Sequence, residues 1–210
     1  MAKLETPALQ KVYGAKTQEE LNDAYAAWAN AYDRETAEDG YCLPFMISSW
    51  VARHVAKGEG PLLDAGCGTG LSGPYLKALG YDDLEGLDLS EEMLELAKQR
   101  GCYRALTNAA LGEKLPWMDG HFRAAFCTGV FTAGHAPAEG LFELVRIVRQ
   151  NGHLIFTVRD TILETGGFRS VFEQLENDGC WKAIEESDAF RAFAVGEPDV
   201  LVKAFVYKIL

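Results

Sequence analysis

Basic residues are few in this sequence. Lys and Arg together number 20 against 31 Asp and Glu, which leaves a formal net charge of -11 and a pI near 4.8. A field of that sign repels polyanions. It excludes the broad basic footprint by which proteins hold nucleic acid or anionic lipid, so the expected partner is a small molecule. Cysteine is scarce too: Cys42, Cys67, Cys102, Cys127 and Cys180 are odd in number, with no C-x-x-C and no Cys/His set at zinc-ligand spacing. That excludes a disulfide framework, leaves no metal expected, and makes the five reduced, mostly buried small apolar residues. Long apolar runs are missing. No stretch approaches the roughly 20 residues that span a bilayer, and the opening MAKLETPALQKVYGAKTQEE lacks the apolar core of a secretory signal. The expectation is a cytoplasmic protein without a membrane partner, monomeric or homodimeric. Internal repeats and low-complexity linkers are absent as well.

What is present is an ordinary globular composition, 48% apolar and 24% charged over 210 residues. One layered core of that length removes roughly 70–75% of the extended chain's surface from water, enough for an enzyme. Thr17 and Glu20 have capping-box spacing, and Leu21, Tyr25, Trp28 and Tyr32 follow on one helical face. Pro44 opens a second helix that Gly58 can close. From there the rhythm changes to strand, turn and helix. Strands are expected at Leu62–Ala65, Leu84–Asp88, Tyr103–Thr107, Phe122–Thr128, His153–Val158, Trp181–Glu186 and Leu201–Ile209. Between them, Ser72–Leu79, a Ser90-capped helix to Arg100, Pro137–Arg149 and Phe168–Asn177 read as helices, with Gly152 as a stop. Strands alternating with helices predict an α/β fold: a Rossmann-like, seven-stranded, mostly parallel sheet with helices on both faces. Residues 1–58 are expected to form an N-terminal helical lid and residues 59–210 the core.

The informative stretch is Leu62-Leu-Asp64-Ala65-Gly66-Cys67-Gly68-Thr69-Gly70, a strand running into D-x-G-x-G-x-G. Ligands of such sheets sit at the carboxyl ends of strands, and glycines there let the backbone turn sharply and approach a ligand closely. Asp88, at the end of the second strand, can accept both hydrogen bonds of a ribose's vicinal hydroxyls. An adenosine-bearing cofactor follows. Gly68, Gly70 and Gly73 also fit the dinucleotide pattern G-x-G-x-x-G. In that pattern, however, the first glycine directly follows the strand, a place Gly66 already fills. The register favours D-x-G-x-G-x-G.

This motif, with Asp88 and Leu89-Ser-Glu-Glu-Met93-Leu behind it, closely resembles the class I S-adenosylmethionine-dependent methyltransferases. Further features are similar to their small-molecule (type 11/25-like) branch, which includes the Williams–Beuren syndrome region methyltransferase-like proteins. They are Trp28-Ala-Asn-Ala-Tyr-Asp33, Leu-Pro-Trp at 115 to 117, Gly-Val-Phe at 129 to 131 and the Arg-Gln-Asn-Gly turn at 149 to 152. The resemblance implies S-adenosylmethionine as cofactor and S-adenosylhomocysteine as product. It implies that the loop from Asp64 and Ala65 through Gly66, Cys67, Gly68 and Gly70 holds the methionine part and that Asp88 holds the ribose. Leu89 and Met93 would take one side of the adenine, Asn108 and Ala109 its other side and edge, with Thr128, Gly129 and Val130 completing the cofactor site. Many relatives carry Asp where Asn108 stands, and an Asp opens their fourth strand where this chain has Arg123.

Methyl transfer needs position more than chemistry from the protein, so the catalytic list is short. Tyr32 is expected over the cofactor, within reach of the acceptor; Tyr25 and Trp28 read as packing. His135 follows the fourth strand and is either a general base or a residue leading into the next helix. Arg159, at the end of the fifth strand, either holds an anionic acceptor group or pairs with neighbours such as Asp160. Glu143 and Arg146 read as an ordinary surface pair, and His54, His121 and His153 as structural. The expected activity is methylation of a small-molecule acceptor on N, O or S. The alternative is a non-catalytic adenosylmethionine-binding partner of another methyltransferase, and a nicotinamide-dependent reductase is disfavoured by the motif register.

Overall fold

The computed structural model describes Glu20, residues 31–58 and residues 60–210. Of the first expected helix, Thr17, Leu21, Tyr25 and Trp28 lie outside the described residues. A helical segment over residues 31–38 leads to α1 (Leu43–His54), β1 (Leu62–Ala65), α2 (Ser72–Ala78), β2 (Leu84–Asp88), α3 (Glu91–Gln99) and β3 (Ala105–Asn108). The chain continues through β4 (Phe122–Phe131), α4 (Gly140–Ile147), β5 (Val148–Arg159), α5 (Asp160–Leu163) and α6 (Phe168–Asn177). It closes with β6 (Trp181–Glu186), β7 (Phe190–Arg191) and β8 (Leu201–Ile209). The sheet runs β3-β2-β1-β4-β5-β8-β6, with the two-residue β7 also paired to β8. Strands β1 to β5 are parallel, and β8 lies antiparallel between β5 and β6. Because β1 has β2 on one side and β4 on the other, the chain reverses its direction of travel across the sheet there, which opens a crevice at the carboxyl ends of these strands.

Each layer follows from the apolar pattern. All four residues of β1 are buried, as a strand covered on both faces requires. On one face α1 buries Ile47, Val51 and Val55 against Leu62, Leu84 and Phe126. On the other, α4 and α6 cover an aromatic cluster in which Phe156 stacks on Phe205 and Tyr207, and the Trp181 and Tyr207 rings lie 3.8 Å apart. Helix α3 starts where its cap dictates: Ser90 Oγ accepts the Met93 N–H, Glu91 and Glu92 sit in the positive first turn, and Met93, Leu94 and Ala97 face inward. Fully burying one side chain such as Met93 stabilises the fold by about 1.5–3 kcal/mol.

Several boundaries differ from the sequence expectation, β3 and the added β7 among them, and three of the differences have a tertiary reason. The helix expected over Pro137–Arg149 spans Gly140–Ile147, because Val148 already pairs with Phe122 as the start of β5. Gly152 is not a helix stop: a Cβ there would lie 2.5 Å from the Arg123 carbonyl oxygen. Strand β4 continues past Thr128 to Phe131, with a register irregularity after Cys127 and Gly129 at φ +72°. That irregularity turns Gly129 and Val130 toward the crevice. The Glu143–Arg146 pair is more than a surface pair. Arg146 also donates to Asp119 Oδ1 and to the Leu115 and Trp117 carbonyls, fastening α4 to the loop before β4. Among the described residues no helix is long and apolar enough to cross a membrane.

Candidate functional site

The glycine turn begins where β1 ends. Gly66, Gly68 and Gly70 all have positive φ, +78°, +54° and +80°, but their missing Cβ atoms serve different ends. A Cβ on Gly66 would overlap Val130 Cγ2, and one on Gly70 would press on the Tyr103 ring at 2.9 Å and on Ala97 of α3 at 3.1 Å. A Cβ on Gly68 would meet nothing within 4 Å, so this glycine alone borders open space. The Gly66 and Cys67 amides donate to the Leu87 carbonyl at 2.7 and 2.9 Å, and the Gly68 amide to Asp88 Oδ2 at 2.8 Å. Asp88 Oδ1 accepts the Ser90 amide at 3.0 Å. The Leu89 backbone is a third donor to Asp88, and as a carboxylate offers about four acceptor positions, one remains for a ligand's hydroxyl.

Beneath the turn lies Asp64, 1% exposed, whose Oδ2 accepts from the Tyr103 hydroxyl at 2.7 Å. Burial pushes the Asp64 carboxyl up from 3.8 to about 7; the Tyr103 donor pulls it back and the neighbouring Asp88 charge adds to the rise. Burial likewise raises Asp88, against the pull of its backbone donors. Between pH about 4 and 7 the folded protein therefore holds a proton on Asp64 that the unfolded chain has released, so this group's contribution to stability falls as pH rises through that window. Asp64→Asn keeps an acceptor for Tyr103 and carries no charge. In urea titrations its stability relative to wild type is expected to improve from pH 5 to about pH 7 and to level off above it. A difference that does not vary with pH would show that Asp64 does not titrate there.

From this turn one continuous cleft runs along the sheet's carboxyl edge. Asp64, Gly66, Cys67, Gly68 and Asp88 line it at the glycine turn, with Val130 packed beside Gly66, and Leu89, Met93, Ala109, Thr128, Gly129, His135 and Tyr32 line it as well. Four residues expected at the site do not line it. Ala65 is fully buried in β1, Gly70 faces Tyr103 and α3, and Asn108 spends its amide on the Leu89 and Asp88 carbonyls at 2.7 and 3.3 Å. Arg159 instead sits in the β5–β8 ladder opposite Val202 and leads into α5.

His135 Nδ1 lies 2.8 Å from Thr132 Oγ1 and 3.1 Å from the Ala133 carbonyl oxygen. That carbonyl calls for Nδ1–H and leaves Nε2 as the ring's acceptor. Burial lowers the His135 pKa below 6.5, against the pull of the Ala133 carbonyl, so the ring is neutral at pH 7. Two residues that sequence reasoning missed complete the site. Tyr41 lines the cleft, its hydroxyl occupying the space a Cβ on Gly129 would need. The Tyr103 ring is the nearest group to the missing Cβ of Gly70 and shares the room at Gly73 with Cys102 and at Gly86 with Leu106 and Cys67. The glycine spacing signalled a close approach; that a phenol is among the approaching groups was not readable from it.

Residues 63–156 match the family described as "Methyltransferase domain". The chain is 29% identical over 181 residues to the human "Methyltransferase-like protein 27", covering 82% of this chain and 72% of that protein. Among solved structures it is similar to a TehB-like SAM-dependent methyltransferase from Corynebacterium glutamicum, with a TM-score of 0.64 and 21% identity over 90% of this chain and all (100%) of that one. It is also similar to a Haloferax volcanii complex of the Trm112 methyltransferase activator with a methyltransferase, with a TM-score of 0.65 and 16% identity over 88% of this chain and 97% of that one.

Proposed function

We propose that the chain is a class I S-adenosylmethionine-dependent methyltransferase, as its match to the methyltransferase-domain family over residues 63–156 and its likeness to methyltransferase-like protein 27 support, and that it methylates a small-molecule acceptor held beside His135. The observation that carries this reading is that a single cleft is lined by Gly68 and Asp88 and also by His135, Tyr32 and Tyr41, which puts the proposed ribose carboxylate and a candidate base in one space. The residues fit the cofactor, since Gly68 borders open space and Asp88 keeps an acceptor position beside it. In this reading Asp88 holds the ribose, Leu89 and Met93 cover the adenine, and the Gly66–Gly68 backbone takes the methionine end. Bound there, S-adenosylmethionine supplies an electrophilic methyl carbon and its own thioether leaving group. The protein's part is to hold the acceptor in line and exclude water, with His135 Nε2 accepting a proton when the nucleophile arrives protonated.

The direct test is calorimetry with S-adenosylhomocysteine, followed by a methyl-transfer screen of metabolite extracts with labelled cofactor. Saturable binding and a labelled small product are expected. Binding with no labelled product would favour the non-catalytic partner role.

The proposal includes a lid, confined to the chain before α1. Helix α1 contributes Ile47, Val51 and Val55 to the core beneath the sheet, whereas the segment over residues 31–38 places Tyr32 on the cleft. Residues 39–42 join the two: the Ala194 amide donates to the Gly40 carbonyl, and the Cys42 amide to the Ala192 carbonyl. Adding S-adenosylhomocysteine is expected to slow amide hydrogen exchange in residues 31–38 while α1 stays unchanged. Equal protection of both, or of neither, would remove the lid.

A further inference from the structure

The segment bearing Tyr32 is fastened to the glycine turn by side chains that the methyltransferase reading does not use. Asp33, adjacent to Tyr32, accepts the Thr69 hydroxyl on Oδ1 at 2.5 Å. Its Oδ2 accepts from Arg100 Nη2, and Arg100 Nε donates to the Thr69 carbonyl at 2.5 Å. Each of the three residues thus bonds both of the others. They come from three parts of the fold: the segment over residues 31–38, the turn between Gly68 and Gly70, and the C-terminal end of α3.

We propose that Asp33, Arg100 and Thr69 form a clasp that couples closure of the Tyr32 segment to the shape of the glycine turn, and that they act as positioning residues for cofactor retention. The inference rests on the reading of the cleft as an adenosylmethionine site. Thr69 lines that cleft, is 1% exposed and lies between two glycines of positive φ, where the backbone is least constrained by its own side chains. Gripping it by hydroxyl and carbonyl together fixes the Thr69 side chain and the Thr69–Gly70 peptide, next to Gly68's open face. The same grip holds Asp33, and with it Tyr32, down on the cleft. The rod that carries Arg100 begins at Ser90, whose amide bonds Asp88. Helix α3 therefore ties the clasp to the proposed ribose carboxylate at its other end.

The clasp is an ion pair reinforced by two hydrogen bonds, with the Asp33 side chain 47% and the Arg100 side chain 24% exposed. Solvent screening makes such a pair worth a modest factor, and one that salt weakens. The test uses tritiated S-adenosylhomocysteine bound to the full chain and chased with excess unlabelled compound, at low and high sodium chloride. Arg100→Gln and Asp33→Asn are each expected to release it roughly three- to tenfold faster than wild type. The double variant should be no faster than either single one, since either change opens the same clasp. Wild-type release should quicken with salt while the variants respond less, a pattern that loss of fold stability alone would not produce. If Arg100→Gln does not fold, Asp33→Asn at its more exposed position decides through rate and salt response. Wild-type rates in the variants, or single effects that multiply in the double, would overturn the clasp. A wild-type chain that binds no S-adenosylhomocysteine would overturn the cofactor reading and the clasp with it, whereas normal wild-type binding with indifferent variants would overturn the clasp alone.

Discussion

Asp88→Ala is expected to weaken S-adenosylhomocysteine binding by about ten- to over a hundredfold, the equivalent of about 1.5–3 kcal/mol for hydrogen bonds to a charged group. Two effects combine in that loss. The carboxylate is the proposed acceptor for a ribose hydroxyl, and it also holds the Gly68 amide on one oxygen and the Ser90 amide on the other. Without it the turn loses the bond that sets Gly68 against the cleft, and α3 loses a tie at its N-cap, Ser90. Asp88→Asn separates the two effects, because one amide oxygen can still accept from a backbone N–H while the second acceptor is gone. It should fall between alanine and wild type. Calorimetric titration reads both, and wild-type affinity in Asp88→Ala would remove this residue from the cofactor site.

His135→Gln is expected to cut turnover by about 10²–10⁴-fold once an acceptor is known, while leaving S-adenosylhomocysteine affinity intact, the scale on which a positioned base contributes. The sign of the pH dependence follows from the ring's surroundings. Burial lowers the His135 pKa, so the base-competent neutral form persists below pH 6.5 and is lost only as pH falls further. Wild-type kcat should therefore show an acid limb below 6.5 that the variant lacks. If His135 only positions the acceptor, the penalty moves to KM and the limb stays. Kinetics unchanged in every respect would leave the residue as the link between Thr132 and the Ala133 carbonyl that the structure shows it to be.

Much of this molecule was legible in the sequence, because much of it is local. The alternation of strands and helices requires only the two periodicities of the backbone, and the parallel sheet follows from connections long enough to cross it. The cap at Ser90, the acids after it and the strand-to-glycine turn all act within a few residues of themselves. Their places at the cleft were accordingly readable: Gly66, Gly68 and Asp88 line it as their spacing implied.

What the linear pattern could not hold was which residues meet across the fold. Three glycines announce close approaches without saying what approaches: Val130 at Gly66, Tyr103 at Gly70, and open cleft at Gly68. Arg159 ends its strand at the expected edge yet stays in the ladder with Val202, because β8 pairs along the full length of β5's second half. Asn108, Tyr41 and Tyr103 take their places from the docking of β3 beside β2 and of residues 39–42 on the Ala192–Gly196 loop. By itself the sequence determined that this is an α/β chain with a strand-to-glycine turn of the kind that takes an adenosine-bearing cofactor, since periodicity and φ preference are properties of neighbours. Only the tertiary structure decided that Asp33 reaches Arg100 across 67 positions and that a buried Asp64 keeps its proton toward neutral pH. Contact at that separation, and exclusion of water from a carboxylate, exist only once the layers have closed.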